Sequence, residues 1–279
     1  MRKIAFCIGA LIFIALMWLV GCEGVFGTKY KVINTINEVL PIVAEAKKEG
    51  EVIVFFNIDQ TLTRPNSPLL TLKNRTAHKD ILRDVKRGLS QCDILLDIAA
   101  AVSFPQVLID QDAPEVIRKI QAQGITCWGY TSFITGAFDD IPSLEDWRSQ
   151  ELVKLGIAFS SISEQGVNFQ STSLHRNFLF KNGIIFTDNK RTIYIGYVIR
   201  SFFRYLSSKG KLPKVVVMVD STLYSLRHLQ NSLQYFRPTI HYIGVQYVNG
   251  LRDEDPVSDP EAFRELMQRL IIKVLKAQS

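Results

Sequence analysis

Short apolar runs alternate with stretches of helical periodicity along most of the chain. The apolar runs, rich in β-branched and aromatic residues, predict buried strands at 51–56, 107–109, 125–130, 214–219 and 240–245. Apolar positions at helical spacing predict helices at 25–48, 113–123, 144–155, 196–209, 221–235 and 259–276. Strands that alternate with helices of this length are typical of an α/β fold with a doubly wound, mainly parallel sheet. In such a fold the functional residues are expected at the carboxyl ends of the strands.

Two stretches depart from this alternation. The first, 63–104, holds a basic helical segment followed by the apolar helix 92–101, and we expect it to form a helical cap over the sheet edge. The second, 160–187, is irregular apart from a hairpin that Asn182-Gly183 predicts between two apolar triplets. The expected organisation is a tether and first helix at 22–50, a core at 51–62 and 105–279, and a cap inserted at 63–104.

Composition places the chain among ordinary globular proteins. Its 279 residues are 47% hydrophobic and 22% charged, which excludes the disordered, fibrous and multi-span membrane classes. The 33 Lys and Arg against 27 Asp and Glu give a formal charge of +6, too small an excess to indicate a nucleic-acid partner. Four Cys exclude a disulfide scaffold and lack the spacing of a zinc site, and Cys92 and Cys127 are expected to be buried thiols.

The N-terminus has the pattern of an export signal. A basic head precedes the apolar run 4–20, and Gly21 and Cys22 follow. This ending resembles the bacterial lipobox, which implies that a signal peptide at 1–21 is removed and that Cys22 receives a diacylglyceryl group and acyl chains such as palmitate. The lipid bilayer would then be a partner, and we expect an extracytoplasmic protein on the bacterial cell envelope, with the outer membrane favoured. An uncleaved anchor helix is the alternative.

The most informative segment follows the first predicted strand. Residues 55–63 read Phe-Phe-Asn-Ile-Asp-Gln-Thr-Leu-Thr. They resemble the first motif of the haloacid dehalogenase (HAD) superfamily, an apolar strand leading into Asp-x-Asp-x-Thr. In that chemistry the first Asp attacks phosphorus, and the second protonates the leaving oxygen and then activates water. Asp59 and Thr61 match their positions, whereas Asn57, a neutral amide, stands at the nucleophile position.

The other motifs of the superfamily have counterparts at later strand ends. Thr131, followed by Ser132, matches the second motif, in which a hydroxyl holds a phosphoryl oxygen. Asp220 matches the fourth, in which acidic residues hold Mg²⁺, but Ser221 replaces the adjacent acid. The lysine of the third motif falls on Ile195. The resemblance implies a weak Mg²⁺ site at Asn57, Asp59 and Asp220, and phosphate contacts from Thr61, Thr131 and Ser132.

The order of these motifs, together with 107–110, 182–186 and 244–247, resembles the DUF2608 family of HAD-like bacterial proteins over roughly 48–250. A more distant similarity is to class C acid phosphatases, which are also HAD-fold lipoproteins of the bacterial envelope. The resemblance implies an α/β phosphatase fold carried on a membrane anchor.

The replaced residues weigh against an efficient enzyme. A working site of this class balances several carboxylates, one Mg²⁺ and one lysine, and Asn57, Ser221 and Ile195 remove two acids and the lysine. We expect a catalytically impaired domain that binds a phosphorylated or other anionic ligand, or a protein partner.

Two alternatives stay open. One is an active Mg²⁺-dependent phosphomonoester hydrolase. Either Asp59 would act as base for direct attack by water, or Lys190 or Arg191 would replace the lysine. The other is a structural protein of the envelope. The basic or potentially basic residues from Lys73 to Arg87 could steer anions, touch lipid head groups or form a solvated face.

Overall fold

The computed structural model describes residues 30–87, 92–162, 165–171, 174, 176–188, 193–237, 239–249 and 256–278. The strands within these ranges are β1 (Lys31–Ile33), β2 (Val52–Asn57), β3 (Thr63–Pro65), β4 (Gln106–Leu108), β5 (Thr126–Thr131), β6 (Val167–Ser171), β7 (Arg176–Lys181), β8 (Ile184–Phe186), β9 (Val215–Asp220) and β10 (His241–Tyr247). Eight of them form a central sheet in the order β1-β10-β9-β2-β5-β8-β7-β6. The pairs from β1 to β8 are parallel, and β7 and β6 complete the sheet with antiparallel pairs.

Helices connect most of these strands. They are α1 (Val39–Lys47), α2 (Leu72–Ala77), α3 (Lys79–Val85), α4 (Cys92–Ser103), α5 (Ala113–Gln121), α6 (Leu144–Lys154), α7 (Ile193–Ser208), α8 (Leu223–Phe236) and α9 (Pro260–Gln278). From α5 onward each lies within a few residues of its predicted range. The prediction of a mixed α/β fold with a mainly parallel central sheet of Rossmann-like type is confirmed.

The central strand β2 shows why its sequence is a continuous apolar run. Val54 and Phe56 belong to the core that also contains Val39 of α1. Phe55 points to the other face, where its ring centroid lies 5.9 Å from that of Phe203 in α7. Because successive side chains of a strand alternate between faces, a sheet covered by helices on both sides needs an apolar residue at every position.

The structure describes the predicted helix 25–48 from residue 30 onward, and the prediction is wrong from there to Glu38. Lys31–Ile33 forms β1, which pairs parallel with β10, and a 3₁₀ turn at Ile36–Glu38 leads into α1. Pairing with the open edge of β10 overrides the helical spacing of a few apolar residues. The predicted signal peptide at 1–21 and Cys22 lie outside the described residues. Among the helices that are described, none is both long and apolar enough to cross a bilayer.

The strand predicted at 107–109 does not join the central sheet. Instead β4 pairs antiparallel with β3 in a separate two-stranded sheet. A short apolar run does not reveal which partner it pairs with, because the partner lies elsewhere in the chain. The segment 63–104 therefore begins with a strand before α2, α3 and α4, and the last two of these helices pack against α9. Its role as a cap stays a prediction.

The hairpin predicted at Asn182-Gly183 is confirmed. It joins β7 to β8, and both turn residues have positive φ, 52° and 77°, as a type I′ turn requires. The rest of 160–187 is more regular than predicted, because β6 pairs antiparallel with β7. The turn thereby places β8 beside β5, next to the strand ends that carry the candidate site.

Replacing Gly183 by Ala should destabilise the fold more than replacing Gly124. Both glycines have positive φ, 77° and 75°, so either substitution costs about 1 kcal/mol of backbone strain. A Cβ at Gly183 would also clash with the Cβ of Phe159 and approach the Ser160 carbonyl oxygen to 2.7 Å, whereas no described atom lies within 4 Å at Gly124. We expect a further loss of about 1–3 kcal/mol for Gly183→Ala in urea unfolding. Equal losses in the two variants would contradict this packing.

Cys127 should make stability depend on alkaline pH. The residue is fully buried in β5, and burial raises the pKa of its thiol from 9.0 to about 12. The unfolded chain loses this proton near pH 9.0 and the folded chain only near pH 12, so stability is complete below the lower value and falls between the two. We expect the loss in the wild type to exceed that in Cys127→Ala by about 1.4 kcal/mol per pH unit. Urea unfolding of both proteins at about pH 8 and about pH 10 measures it; the same decline in both would refute it.

Candidate functional site

Three neighbouring parallel strands, β9, β2 and β5, end at one edge of the sheet. Asn57, the last residue of β2, pairs with Tyr130, so Thr131 at the end of β5 lies beside it. Asp220 is the last residue of β9 on the other side of β2. The structure therefore brings the predicted site residues at the three strand ends together.

Asp59, just beyond β2, accepts hydrogen bonds on both of its carboxylate oxygens. Oδ2 accepts from the hydroxyl of Thr131 at 2.6 Å, and from the backbone N–H and hydroxyl of Ser132 at 3.2 and 3.4 Å. Oδ1 accepts from Nη2 of Arg148 at 2.7 Å. Three predicted residues thus meet, and Arg148 adds a cation that the sequence analysis missed.

The Arg148 side chain is only 1% exposed, yet it carries a full charge. Its Nη2 also donates to the Thr63 hydroxyl at 2.9 Å, and its Nη1 donates to Oε1 of Gln106 at 3.3 Å. The guanidinium carbon lies 5.0 Å from the centre of the Phe133 ring. Burial lowers the pKa of Arg148, against the opposing effect of the Asp59 charge. The buried Nε has no hydrogen-bond partner in the part of the chain that the structure describes.

The sequence does carry a signal for Arg148. It lies four residues after Leu144 and four before Leu152, and all three side chains are buried on one face of α6. Residues spaced by four share a helix face, so a charge in the middle of this apolar stripe has to enter the core. A charged residue at an otherwise apolar position of a helix indicates a buried partner of opposite charge.

Asp220 is fully buried and is held by donors of the protein. Its Oδ2 accepts from the Tyr130 hydroxyl at 2.6 Å, and its Oδ1 accepts from the backbone N–H and hydroxyl of Thr222 at 2.7 and 3.0 Å. Burial raises the pKa of Asp220, and the hydrogen bonds from Tyr130, Thr222 and Asn57 oppose that rise. Burial and the neighbouring Asp220 charge also raise the pKa of Tyr130 well above its ordinary value.

Asn57 and Thr61 hold neighbouring parts of the edge together. The amide of Asn57 donates to the backbone carbonyl of Asp59 at 3.1 Å and also hydrogen-bonds the Asp220 side chain. The hydroxyl of the buried Thr61 accepts from the backbone N–H of Ser221 at 3.0 Å. Both predicted residues therefore have structural contacts, and their roles toward a ligand stay predictions.

At the third motif the structure has an apolar residue. Ile195, at the predicted lysine position, is a buried residue near the start of α7, with 7% exposure. The two basic residues proposed as its replacements, Lys190 and Arg191, lie outside the described residues. The described cation beside Asp59 comes from α6 instead.

A cavity of about 70 Å³ opens beside Asp59, between the sheet edge and the segment 63–104. Two ion pairs contribute to its lining, Asp59 with Arg148 at 2.7 Å and Asp97 with Arg75 at 2.6 Å. Polar groups of Gln60, Thr63, Gln106 and Ser132 and apolar groups of Pro65, Leu70, Ala100, Ala101 and Phe133 complete it. The lining has no net charge, but it offers guanidinium, amide and hydroxyl donors to a small ligand.

The donor set at this edge does not fit a resident Mg²⁺ ion. The oxygens of Asp59 and Asp220 already accept hydrogen bonds from the protein, and the Arg148 guanidinium touches Asp59, where a cation would bind. No group of three His, Cys, Asp or Glu side chains suited to a metal occurs in the ranges that the structure describes. The predicted weak Mg²⁺ site would require these contacts to rearrange.

Comparison with known proteins points to a family without an assigned function. A family model described as "Protein of unknown function (DUF2608)" matches residues 32–273. An uncharacterized protein of Rickettsia conorii is 20% identical over 81% of this chain and 77% of its own length. Uncharacterized proteins of Rickettsia prowazekii and Rickettsia felis are 20% and 19% identical, over 62% and 70% of this chain and 58% and 66% of theirs. No solved structure matches.

Breaking the Asp59–Arg148 pair on one side only should be strongly destabilising. Arg148→Met leaves the partly buried carboxylate without its cation, and we expect a loss of about 3 kcal/mol in urea unfolding. The double variant Asp59→Asn/Arg148→Met removes both charges and should recover part of that loss. Lys154→Met, which removes the exposed Lys154 from its ion pair with Glu151 on the same helix, is the control and should cost under about 1 kcal/mol. A double variant no more stable than Arg148→Met would mean that the two charges are not coupled.

Proposed function

The chain belongs to the DUF2608 family, and from the geometry of its site we propose that it binds a small phosphorylated or similar anion without turning it over. The ligand would bind at the carboxyl ends of the strands, beside Asp59. The protein would be a HAD-like binding protein, with the segment 63–104 as its cap. It is held on the bacterial envelope by a lipid on Cys22, with only a distant relation to class C acid phosphatases.

The HAD-like part of the proposal is supported by where the motif residues lie. The strand that leads into Asp59 has the strand of Thr131 on one side and the strand of Asp220 on the other. Chemistry on one phosphoryl group needs these three strand ends side by side, because each motif contributes a different contact to the same group. The order of these three strands in the sheet is compatible with that requirement.

The observation that carries the loss of turnover is the environment of Asn57. Its amide donates a hydrogen bond to the Asp59 carbonyl and interacts with Asp220, which is fully buried. An Asp at this position would replace a donor by an acceptor and add a second negative charge next to a buried carboxylate. The edge is therefore adapted to a neutral residue at the position where the covalent chemistry needs a carboxylate.

Anion binding is supported by the cavity beside Asp59. Its volume suits a phosphate-sized group, and the guanidinium groups of Arg75 and Arg148 contribute to its lining. We propose that this binding does not need Mg²⁺, because the Arg148 charge takes the place of a cation beside Asp59.

Inorganic phosphate and phenyl phosphate should stabilise the purified full-length protein without Mg²⁺. At a tenfold excess over Kd we expect a gain of about 1.4 kcal/mol, seen as a rise of about 3–6 °C in Tm. Arg148→Met should abolish this rise relative to its own baseline, whereas Arg118→Met, which removes an exposed arginine on α5, should keep it. If neither anion raises Tm, the protein is not an anion binder and the structural alternative stands.

The same preparation separates binding from hydrolysis. We expect no release of phosphate from phenyl phosphate with or without Mg²⁺, and none from Asn57→Asp, whose free energy of unfolding should fall by about 1–3 kcal/mol. That loss should shrink at acidic pH, where the new carboxyl is protonated. Wild-type hydrolysis that requires Mg²⁺ and disappears in Asp59→Asn would overturn the proposal in favour of an active phosphohydrolase.

A further inference from the structure

The surface of the helix pair α7 and α8 is basic and aromatic. From Ile193 to Arg237 the chain has seven Lys and Arg and a single acid, Asp220, which is buried in the site at the carboxyl edge. The two helices pack against each other on one face of the sheet. Neither helix contains an acidic residue, so the outer surface of the pair carries positive charge.

The charges gather where the two helices end. We call the six residues Arg204, Lys209, Lys211, Tyr235, Phe236 and Arg237 the basic-aromatic patch. The guanidinium carbons of Arg204 and Arg237 lie 5.7 and 5.3 Å from the centre of the same Phe236 ring. Arg237 also donates to the Ser207 hydroxyl at 3.3 Å, which joins the two helix ends. In the patch, one aromatic ring therefore positions two exposed arginines.

The patch presents both cations and aromatic surface to solvent. Arg204, Lys209, Lys211 and Arg237 are exposed, and Tyr235 is 80% exposed although it is a large aromatic residue. The C-terminal end of α1, on the opposite face of the sheet, carries acidic as well as basic residues. There Glu45 and Glu49 pair with Lys48 and His241, which mixes the two signs of charge.

The patch and Asp59 lie at opposite ends of the strands of the central sheet. A short connection leads from the end of α7 at Ser208 to the start of β9, and another from the end of α8 at Phe236 to the start of β10. Because β9 and β10 are neighbouring parallel strands, both helix ends lie at the amino ends of the strands. The candidate site lies at their carboxyl ends, so the two features face away from each other.

We propose that the basic-aromatic patch docks on an anionic phospholipid surface and turns the Asp59 edge away from the membrane. Arginine and lysine bind lipid phosphates, and amphipathic aromatic rings settle at the level of the head groups. Each cation near such a surface contributes roughly fivefold to the docking equilibrium. The N-terminal pattern of an export signal ending at Cys22 favours a membrane over a nucleic acid as the polyanion. The inference does not depend on anion binding at Asp59.

Hydrogen exchange on the full-length protein in vesicles tests the docking without variants. The protein is reconstituted in phosphatidylcholine vesicles and in vesicles of which about a third of the lipid is phosphatidylglycerol. Amides at the ends of α7 and α8 should exchange more slowly in the anionic vesicles only, and high salt should abolish the difference. Equal exchange in the two kinds of vesicle, or protection that survives high salt, would overturn the proposal.

A matched pair of double variants assigns the effect to the patch. Arg204→Gln/Arg237→Gln should lower the docking equilibrium by roughly 25-fold and remove the protection. Arg83→Gln/Arg87→Gln removes the same charge from exposed positions on and just after α3 and should leave the protection unchanged. Loss of protection in both pairs would mean a general effect of net charge and would reject the patch. Equal protection by an RNA oligonucleotide in neutral vesicles would assign the patch to nucleic acid instead.

Discussion

A guanidinium buried in the protein has to meet a carboxylate, and at the carboxyl edge of this sheet that requirement joins four elements. Arg148 reaches from α6 to Asp59 beyond β2, to Thr63 in β3 and to Gln106 in β4. A charge moved out of water is stable only where its hydrogen bonds and its counter-charge are held in place. The ion pair therefore fixes the position of the loop after β2, and the other hydrogen bonds of Arg148 hold β3 and β4, which flank α2, α3 and α4 in the chain.

Strands β2, β5 and β9 of the central sheet could be predicted because they are buried on both faces. Their sequences are almost continuous apolar runs, and such runs can be recognised without knowing the partner strands. β1 and β4 contain three residues each, and their structure is decided by an edge that becomes available only in the folded protein. A local pattern cannot contain that information. The helical spacing of 25–48 therefore mispredicts β1, and the apolar run 107–109 mispredicts the sheet to which β4 belongs.

The candidate site could also be predicted only in part. The prediction that Asn57, Thr131 and Asp220 share one edge followed from parallel strands, whose carboxyl ends meet by construction. The motif resemblance assigns the cation beside Asp59 to position 195, which is Ile, and the motif order holds no information on α6. Only the position of Arg148 within an apolar stripe indicated its burial. A neutral residue at position 57 and a buried arginine beside Asp59 both reduce the negative charge of this edge.

The sheet topology also determines when the fold can form. Val52 at the start of β2 pairs with Val215, and Lys31 in the edge strand β1 pairs with Val245. Both pairings join residues near the start of the chain to residues near its end. Closing loops of this length costs entropy before any contact compensates for it, and a high contact order slows folding. A chain synthesised from its N-terminus could pair β2 with β5, but the other edge of β2 would stay unpaired until β9 followed. Such a nascent chain would depend on a chaperone, or on staying unfolded, until its last third is available.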